Sequence, residues 1–517
     1  MNNRIQDILS DLSKFKYENE CLEAKSAAHG LPQSVWATYS AFANTLGGVI
    51  LLGVAENEDK SLRVVGLDDP QKIIRDFWSA VNDRAKVSVN ILHDRHVRVE
   101  EADGNNIVVI EIPAADRHYR PVFTGGDLLN GTFRRNSEGD YHCSREEINA
   151  MVRDQTDMPL DTATVPEMTP AVFNADTLKS YRNRFRVFKP DHIWNSLEDV
   201  EFLEKIGAVR IGEDDRLHPT KAGLLMFANE YDIVKEFPNY FLDFRETEPG
   251  AERWSDRVVS SSGDWSGNLF DFYFKIIARM TAGLKVPFAL KDGLDRVDDT
   301  EAHKAMREAL ANALIHSDYC GRRGIVVEKS PGRVAIGNPG SMRISIEEAM
   351  SGGVSDPRNA VIFKVFSFLA IGERAGSGLY NIRTVWQKNG WKQPELTQKL
   401  SPDRVTLILE YETVEPNQSH NETNGETIEP VNETNKDVND TVKPLDGQLD
   451  KTNDTKDARL IKVILENPHA SYSEIANKLG VSRASVARRL ATLRSKNIIK
   501  RKGTKRSGVW ILIENAK

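Results

Sequence analysis

Cysteine is scarce: three residues in 517, Cys21, Cys143 and Cys320, lie far apart. That spacing suits neither a disulfide framework nor a structural zinc site, so reduced thiols and a cytoplasmic setting are expected. No apolar run approaches the roughly 20 residues of a bilayer-spanning helix. The opening Met1-Asn2-Asn3-Arg4 has no signal-like apolar stretch, so no membrane partner is expected. Neither Gly-Lys-Thr nor Gly-Lys-Ser occurs, which argues against a helicase-type phosphate loop and an ATP-driven motor. Histidines such as His93, His96, His118 and His142 are scattered without ligand spacing. What is present is ample apolar content, 40% of residues, enough for three or four domains with real cores.

The most informative stretch runs from Glu308 to His316. Its Glu308, Asn312 and His316 recur every four residues among Ala and Leu, so on a helix they share one face. Polar groups on an otherwise apolar helix need hydrogen-bond partners or a ligand. Beyond it, the apolar run Ala335-Ile336 enters the turn Gly337-Asn338-Pro339-Gly340, which reads as a strand ending beside an amide. Next comes Gly376-Ser377-Gly378-Leu379 before a helix start at Tyr380. Glycines there let backbone N–H groups approach an anion at a helix N-terminus.

This order of polar helix, turn and glycine loop resembles the GHKL ATP-binding fold of gyrase, the MutL proteins and the histidine kinases. The resemblance is to the divergent form found beside Schlafen-like domains in RecG-like regulators. It implies ATP and Mg²⁺ as cofactors, with Asn312 as the Mg²⁺ ligand, an amide oxygen being a suitable hard donor. Glu308 would activate water if ATP is hydrolysed. Asn338 would accept from the adenine amino group, and Gly340, Gly376 and Gly378 would shape the nucleotide loops. Ser355-Asp356-Pro357-Arg358-Asn359 falls in the lid region.

Residues 1–155 read as a first domain. A helix is expected from Leu31-Pro32-Gln33-Ser34 to Asn44, then Gly47-Gly48 and the apolar strand Val49–Val54. With Glu18–Lys25 before them and Thr132–Ser137 after, these segments are similar to the Schlafen AlbA-type domain. Two functions follow from that likeness. One is nucleic-acid binding, with Lys25, Arg120, Arg134 and Arg135 as phosphate contacts. The other is a metal-dependent nuclease on RNA or DNA, with Glu18, Glu23 and Glu56 as its carboxylates. Against the second stands an ion pair between Glu23 and Lys25 on one strand face.

Residues 156–300 read as linker and connector, with a Gly207-closed helix over 197–206 and a strand near Tyr240–Phe244. Residues 412–456 carry 11 acidic side chains and four lysines, about −7, with Asn and Thr filling much of the rest. Such a segment cannot bury enough apolar surface to offset ordering entropy, so a disordered tether is expected. From Asp457 the charge inverts: 14 Lys or Arg against four acids, about +10, in a chain whose net charge is −7. Helical patterns through Leu460, over Ser473–Gly480 and over Arg483–Leu493 are followed by two strand-like runs. They resemble a winged helix-turn-helix, with Lys478, Ser482, Arg483, Ser485 and Arg489 toward a major groove and Lys505 and Arg506 at the wing tip.

The expected fold class is α/β (α+β) and multidomain: a Schlafen/AlbA-like α+β domain (1–155), a connector (156–300), a GHKL-like α/β sandwich (301–411), an acidic linker (412–456) and a winged helix-turn-helix (457–517). The function expected is that of an ATP-binding transcriptional regulator acting on double-stranded DNA, with a homo-oligomer compatible with the GHKL likeness. The rival is a Schlafen-like nuclease, with RNA as an additional partner.

Overall fold

In the first domain, Leu22–Lys25 (β1) pairs in parallel with Gly48–Leu52 (β2). Hairpin Val54–Glu56 (β3) with Leu62–Val64 (β4) follows, and Val97–Ala102 (β5) and Asn105–Ile112 (β6) complete a sheet ordered β1-β2-β6-β5. Helices Val35–Ala43 (α1) and Pro70–Val81 (α2) cover one face, burying Trp36, Phe42 and Phe77 against Ile50 and Ile110. The alternate strand residues Leu51 and Val109 join Leu62 in a second cluster, as the two-residue period of a strand requires. The expected helix and strand of residues 31–54 are therefore present. Hairpin Phe133–Asn136 (β7) with Gly139–His142 (β8) and helix Arg145–Gln155 (α3) close the domain. Ser144 and Glu147 form a capping box at the start of α3.

This computed structural model describes residues 20–413, apart from 251–252, 285–289, 292–294, 297–299 and 373–375. Near the C-terminus it describes 460, 463, 472–479, 483, 486–487, 490, 493, 499–502 and 509–512. The chain divides into two units, Met1–Ser419 and His420–Lys517. Glu18 and the tether from residue 414 lie outside the described residues.

Residues 156–300, expected as linker and connector, share one hydrophobic core with residues 301–411. This region holds helices Ala175–Phe188 (α4), Asp199–Ile206 (α5), Lys221–Phe227 (α6) and Glu230–Glu236 (α7) and the small hairpin Val209–Ile211 (β9) with Leu217–Pro219 (β10). Gly207 ends α5 with φ +91°, a conformation that favours glycine. Leu242–Glu246 (β11) and Asp256–Val259 (β12) enter a six-stranded sheet, and Leu269–Thr281 (α8) packs on it before the short hairpin Leu290–Lys291 (β13) with Asp295–Arg296 (β14). Ile325–Ser330 (β15), Arg333–Pro339 (β16), Glu395–Leu400 (β17) and Asp403–Glu410 (β18) supply the rest, in the order β12-β11-β15-β16-β18-β17. One hydrophobic core runs from Val165 to Tyr411.

Helix Glu301–His316 (α9) lies in that core, and Ile346–Ser351 (α10), Ala360–Ser367 (α11) and Gly378–Lys388 (α12) complete the body. In the C-terminal unit, Tyr472–Leu479 (α13) packs Ile475 and Ala476 with Leu460, Val486, Leu490 and Leu493. Ile499–Lys502 (β19) pairs with Val509–Leu512 (β20), the expected wing.

Candidate functional site

Helix α9 buries Ala305, Met306, Ala309, Leu310 and Leu314 in the core. Its remaining face carries Glu308, Asn312 and His316, all three half-buried and all lining one cavity of about 920 Å³ including its open side. Asn338, Gly376 and Gly378 line the same cavity, so the three motifs read from the sequence meet there.

The glycines are required by close approach. A Cβ on Gly378 would lie 2.8 Å from Asn312 Nδ2 and closer still to the Glu308 carboxylate. The start of α12 therefore sits directly against the two polar residues of α9. Gly376 has φ +64°, and a Cβ there would strike the Val354 backbone. Gly340 (φ +102°) faces Arg358 in the same way, and its N–H donates to the Asp403 carbonyl. The elements that could receive a nucleotide are thus together: a helix N-terminus reached through glycines for phosphate, the Asn312 amide oxygen for a divalent cation, and an apolar wall with Ile336, Leu396 and Leu407 for a base. Asn338 is buried on β16, its amide nitrogen 3.4 Å from the Pro339 carbonyl. Burial, helped by Arg358 and Arg343, pushes the His316 imidazole down to about 4, so it is neutral near pH 7.

One wall of the cavity is tied to the first domain. Asp154, next to the C-terminal residue of α3, accepts from Arg358 Nε at 2.9 Å and Nη2 at 2.7 Å, and from Arg343 at 3.3 Å. Arg117 Nε, from the segment after β6, donates to Asp356 at 2.6 Å. Arg343, Asp356 and Arg358 all line the cavity. Burial alone would raise the Asp154 carboxyl, but Arg358 and then Arg343 hold it below the usual carboxylate range. Arg153 adds a pair to Asp318 at 2.7 Å. Sequence reasoning named the lid segment containing Arg358 but neither Arg117 nor Asp154. Asp154 and Arg358 are 204 positions apart, and nothing local announces such a pairing.

Three of the four cations expected to touch nucleic acid in the first domain, Lys25, Arg134 and Arg135, are engaged internally. Arg134 is buried and grips Asp403 with two bonds, at 2.7 and 3.1 Å. Arg135 is buried between Glu23 at 2.8 Å and Asp140 at 2.9 Å. Lys25 pairs with Glu23 at 2.6 Å, the alternative that the strand spacing suggested. Arg120 is half-buried, and burial first and Arg134 next lower its pKa. Of the three carboxylates of the nuclease reading, Glu23 thus already faces two cations, Glu56 is exposed at the end of β3, and Glu18 is outside the described residues. Among the described residues no group of three His, Cys, Asp or Glu side chains could hold a metal. All three cysteines are free. No described helix is long and apolar enough to cross a membrane. In the C-terminal unit Lys478 and Arg483 are exposed, as a DNA contact requires, while Ser482, Ser485, Arg489, Lys505 and Arg506 lie outside the described residues.

Comparison with known proteins agrees with this architecture. Residues 18–144 match the Schlafen AlbA_2 family, and residues 149–243 match a domain of unknown function. Residues 323–409 match the family described as "Putative ATP-dependent DNA helicase recG C-terminal", and residues 453–500 match a winged helix-turn-helix DNA-binding family. No protein of curated function matches. Among solved structures, the DIP2311 protein of Corynebacterium diphtheriae is similar at 16% identity, over 98% of this chain and 96% of that one, with a TM-score of 0.39. The N-terminal domain of a RecG-related protein of Nitrosomonas europaea is similar at 32% identity, over 27% of this chain and 92% of that one, with a TM-score of 0.21. The chain thus carries a Schlafen AlbA_2-type domain, a RecG C-terminal-type, ATPase-like domain and a winged helix-turn-helix.

Proposed function

We propose that the protein is an ATP-binding, DNA-binding regulator in which the nucleotide controls how the first domain is held. The observation that carries this reading is the ion-pair set on the cavity wall. Arg343, Asp356 and Arg358 line the cavity while Asp154 and Arg117 of the first domain grip them. A nucleotide entering with Mg²⁺ fills the cavity whose wall Arg343, Asp356 and Arg358 help to form. Their packing changes with occupancy, so occupancy and the first domain's hold are linked, each biasing the other by the same free energy. Asn312 would hold the cation and Glu308 would orient water if the phosphate is released. The winged helix-turn-helix, with its net charge of about +10, would deliver the chain to duplex DNA.

The test is binding of Mg²⁺-ATP to the full chain and to Asn312→Ala, with phosphate release and cleavage of mixed RNA and DNA followed in the same samples. Binding that is lost in the variant, without cleavage by the parent, is the expected result. Metal-dependent cleavage abolished by Glu23→Ala and by Glu56→Ala would replace the regulator with a nuclease. For the DNA arm, a Lys478/Arg483/Arg489 triple alanine variant should weaken duplex binding and flatten its salt dependence by roughly two to three in log–log slope.

A further inference from the structure

The base end of the cavity is chemically ambivalent. His316 lies one helical turn beyond Asn312, about 6 Å farther from the Gly378 end, and Asn338 lies across from α9 on β16. The charged groups nearby are committed elsewhere. Arg358 spends its donors on Asp154 and on the carbonyls of His316 and Ser341, and Asp356 faces Arg117 and Arg343. What remains to read a base edge are an amide, a neutral imidazole and the hydroxyls of Ser341 and Ser355. Each of these groups can both donate and accept.

Asn338 is the most buried of them, at 7% exposure, and its amide orientation is weakly held. Its Nδ2 contact to the Pro339 carbonyl is 3.4 Å, beyond the usual range for a firm N–H···O bond. With Oδ1 turned to the ligand, the amide accepts from a 6-amino group and its Nδ2 donates to N1. Turned over, Nδ2 donates to a 6-oxo group and Oδ1 accepts from N1–H. Both edges are satisfied at the same position, and neither leaves a buried polar atom unpaired.

Building on the nucleotide reading above, we infer that Asn338 makes the pocket a purine nucleotide site without strong selection at the 6-position, taking 6-oxopurine triphosphates alongside 6-amino ones. Asn338 is then the residue that sets base preference. An Asp at this position only accepts, so it keeps the 6-amino contact and has no donor for a 6-oxo group.

The experiment measures equilibrium binding of ATP and ITP, with Mg²⁺, to the full chain and to Asn338→Asp. ITP is the probe because it differs from ATP only at the 6-position and N1. The parent should bind the two within about tenfold, and Asn338→Asp should shift the ratio toward ATP by tenfold or more. ATP binding with ITP weaker by a hundredfold or more in the parent would overturn the inference while leaving the nucleotide site standing. An unchanged ratio in a folded, ATP-binding Asn338→Asp would also overturn it. Failure of the parent to bind either triphosphate would sink the nucleotide reading itself, and this inference with it.

Discussion

Two sets of polar side chains have been withdrawn from water in this molecule, and they differ in what meets them. On α9, Glu308, Asn312 and His316 face a cavity. In the first domain Glu23, Arg134, Arg135 and Asp140 face one another or Asp403, with 1–15% of each side chain exposed. Burial of a charge is tolerated only with a partner. Where all the neighbours belong to the chain the group serves the fold, and where the group also lines a cavity it can meet a ligand as well. Residue type alone does not separate the two cases, since an arginine pair and a polar helix look equally functional in one dimension.

Substitutions that distinguish folding from ligand roles sharpen this contrast. Arg135→Ala should have the largest effect, leaving Glu23 and Asp140 facing each other without their shared cation. A loss of about 3–5 kcal/mol in urea unfolding is expected, and a loss under about 1 kcal/mol would break the comparison. Asp154→Asn should come next, at about 2–3 kcal/mol, since the amide keeps some hydrogen bonding to Arg358 but not the charge.

The same variant carries a pH signature. Because the folded-state pKa of Asp154 is depressed, its stabilisation is complete above the unfolded value of about 3.9 and is lost as pH falls through the lower folded value. Stability of the parent should therefore decline more steeply on acidification than that of Asp154→Asn; parallel curves would refute the assignment. Lys25→Met should cost only about 1 kcal/mol, because Glu23 retains Arg135. Smallest in stability should be Asn312→Ala, within about 0.5 kcal/mol, although it removes nucleotide binding. A large stability loss there would make Asn312 a structural residue.

Much of the architecture was legible because local signals and tertiary demands coincide. The four-residue recurrence in α9 sets its polar face, Gly207 in the left-handed region ends α5, and the apolar run before Asn338 is β16. The meeting of Glu308, Asn312, Asn338 and Gly378 was also readable, since each sits at the end or on one face of an element whose type could be recognised. Partner choice was not legible. Arg134 reaches Asp403 across 269 positions, and its neighbour Arg135 turns the other way, as alternate strand residues do. A basic pair beside an apolar strand carries no mark of whether an acid or a phosphate will meet it. The extent of the body around α9 was equally hidden, because β11 and β12 precede α9 by roughly forty to sixty residues and join its sheet only through long-range pairing.

That pairing limits what can be inherited as a unit. β15 is parallel to β11 over Leu242–Glu246 and Ile325–Lys329, with Phe244 and Val327 fully enclosed. A gene fragment beginning at residue 301 would encode every cavity-lining motif read from the sequence and yet leave one flank of β15 open, a row of backbone groups ready to recruit another chain. Exchange between proteins would have to carry the stretch from about residue 165 onward in one piece, so the heritable module is more than three times as long as the stretch from Glu308 to Gly378 by which it is recognised.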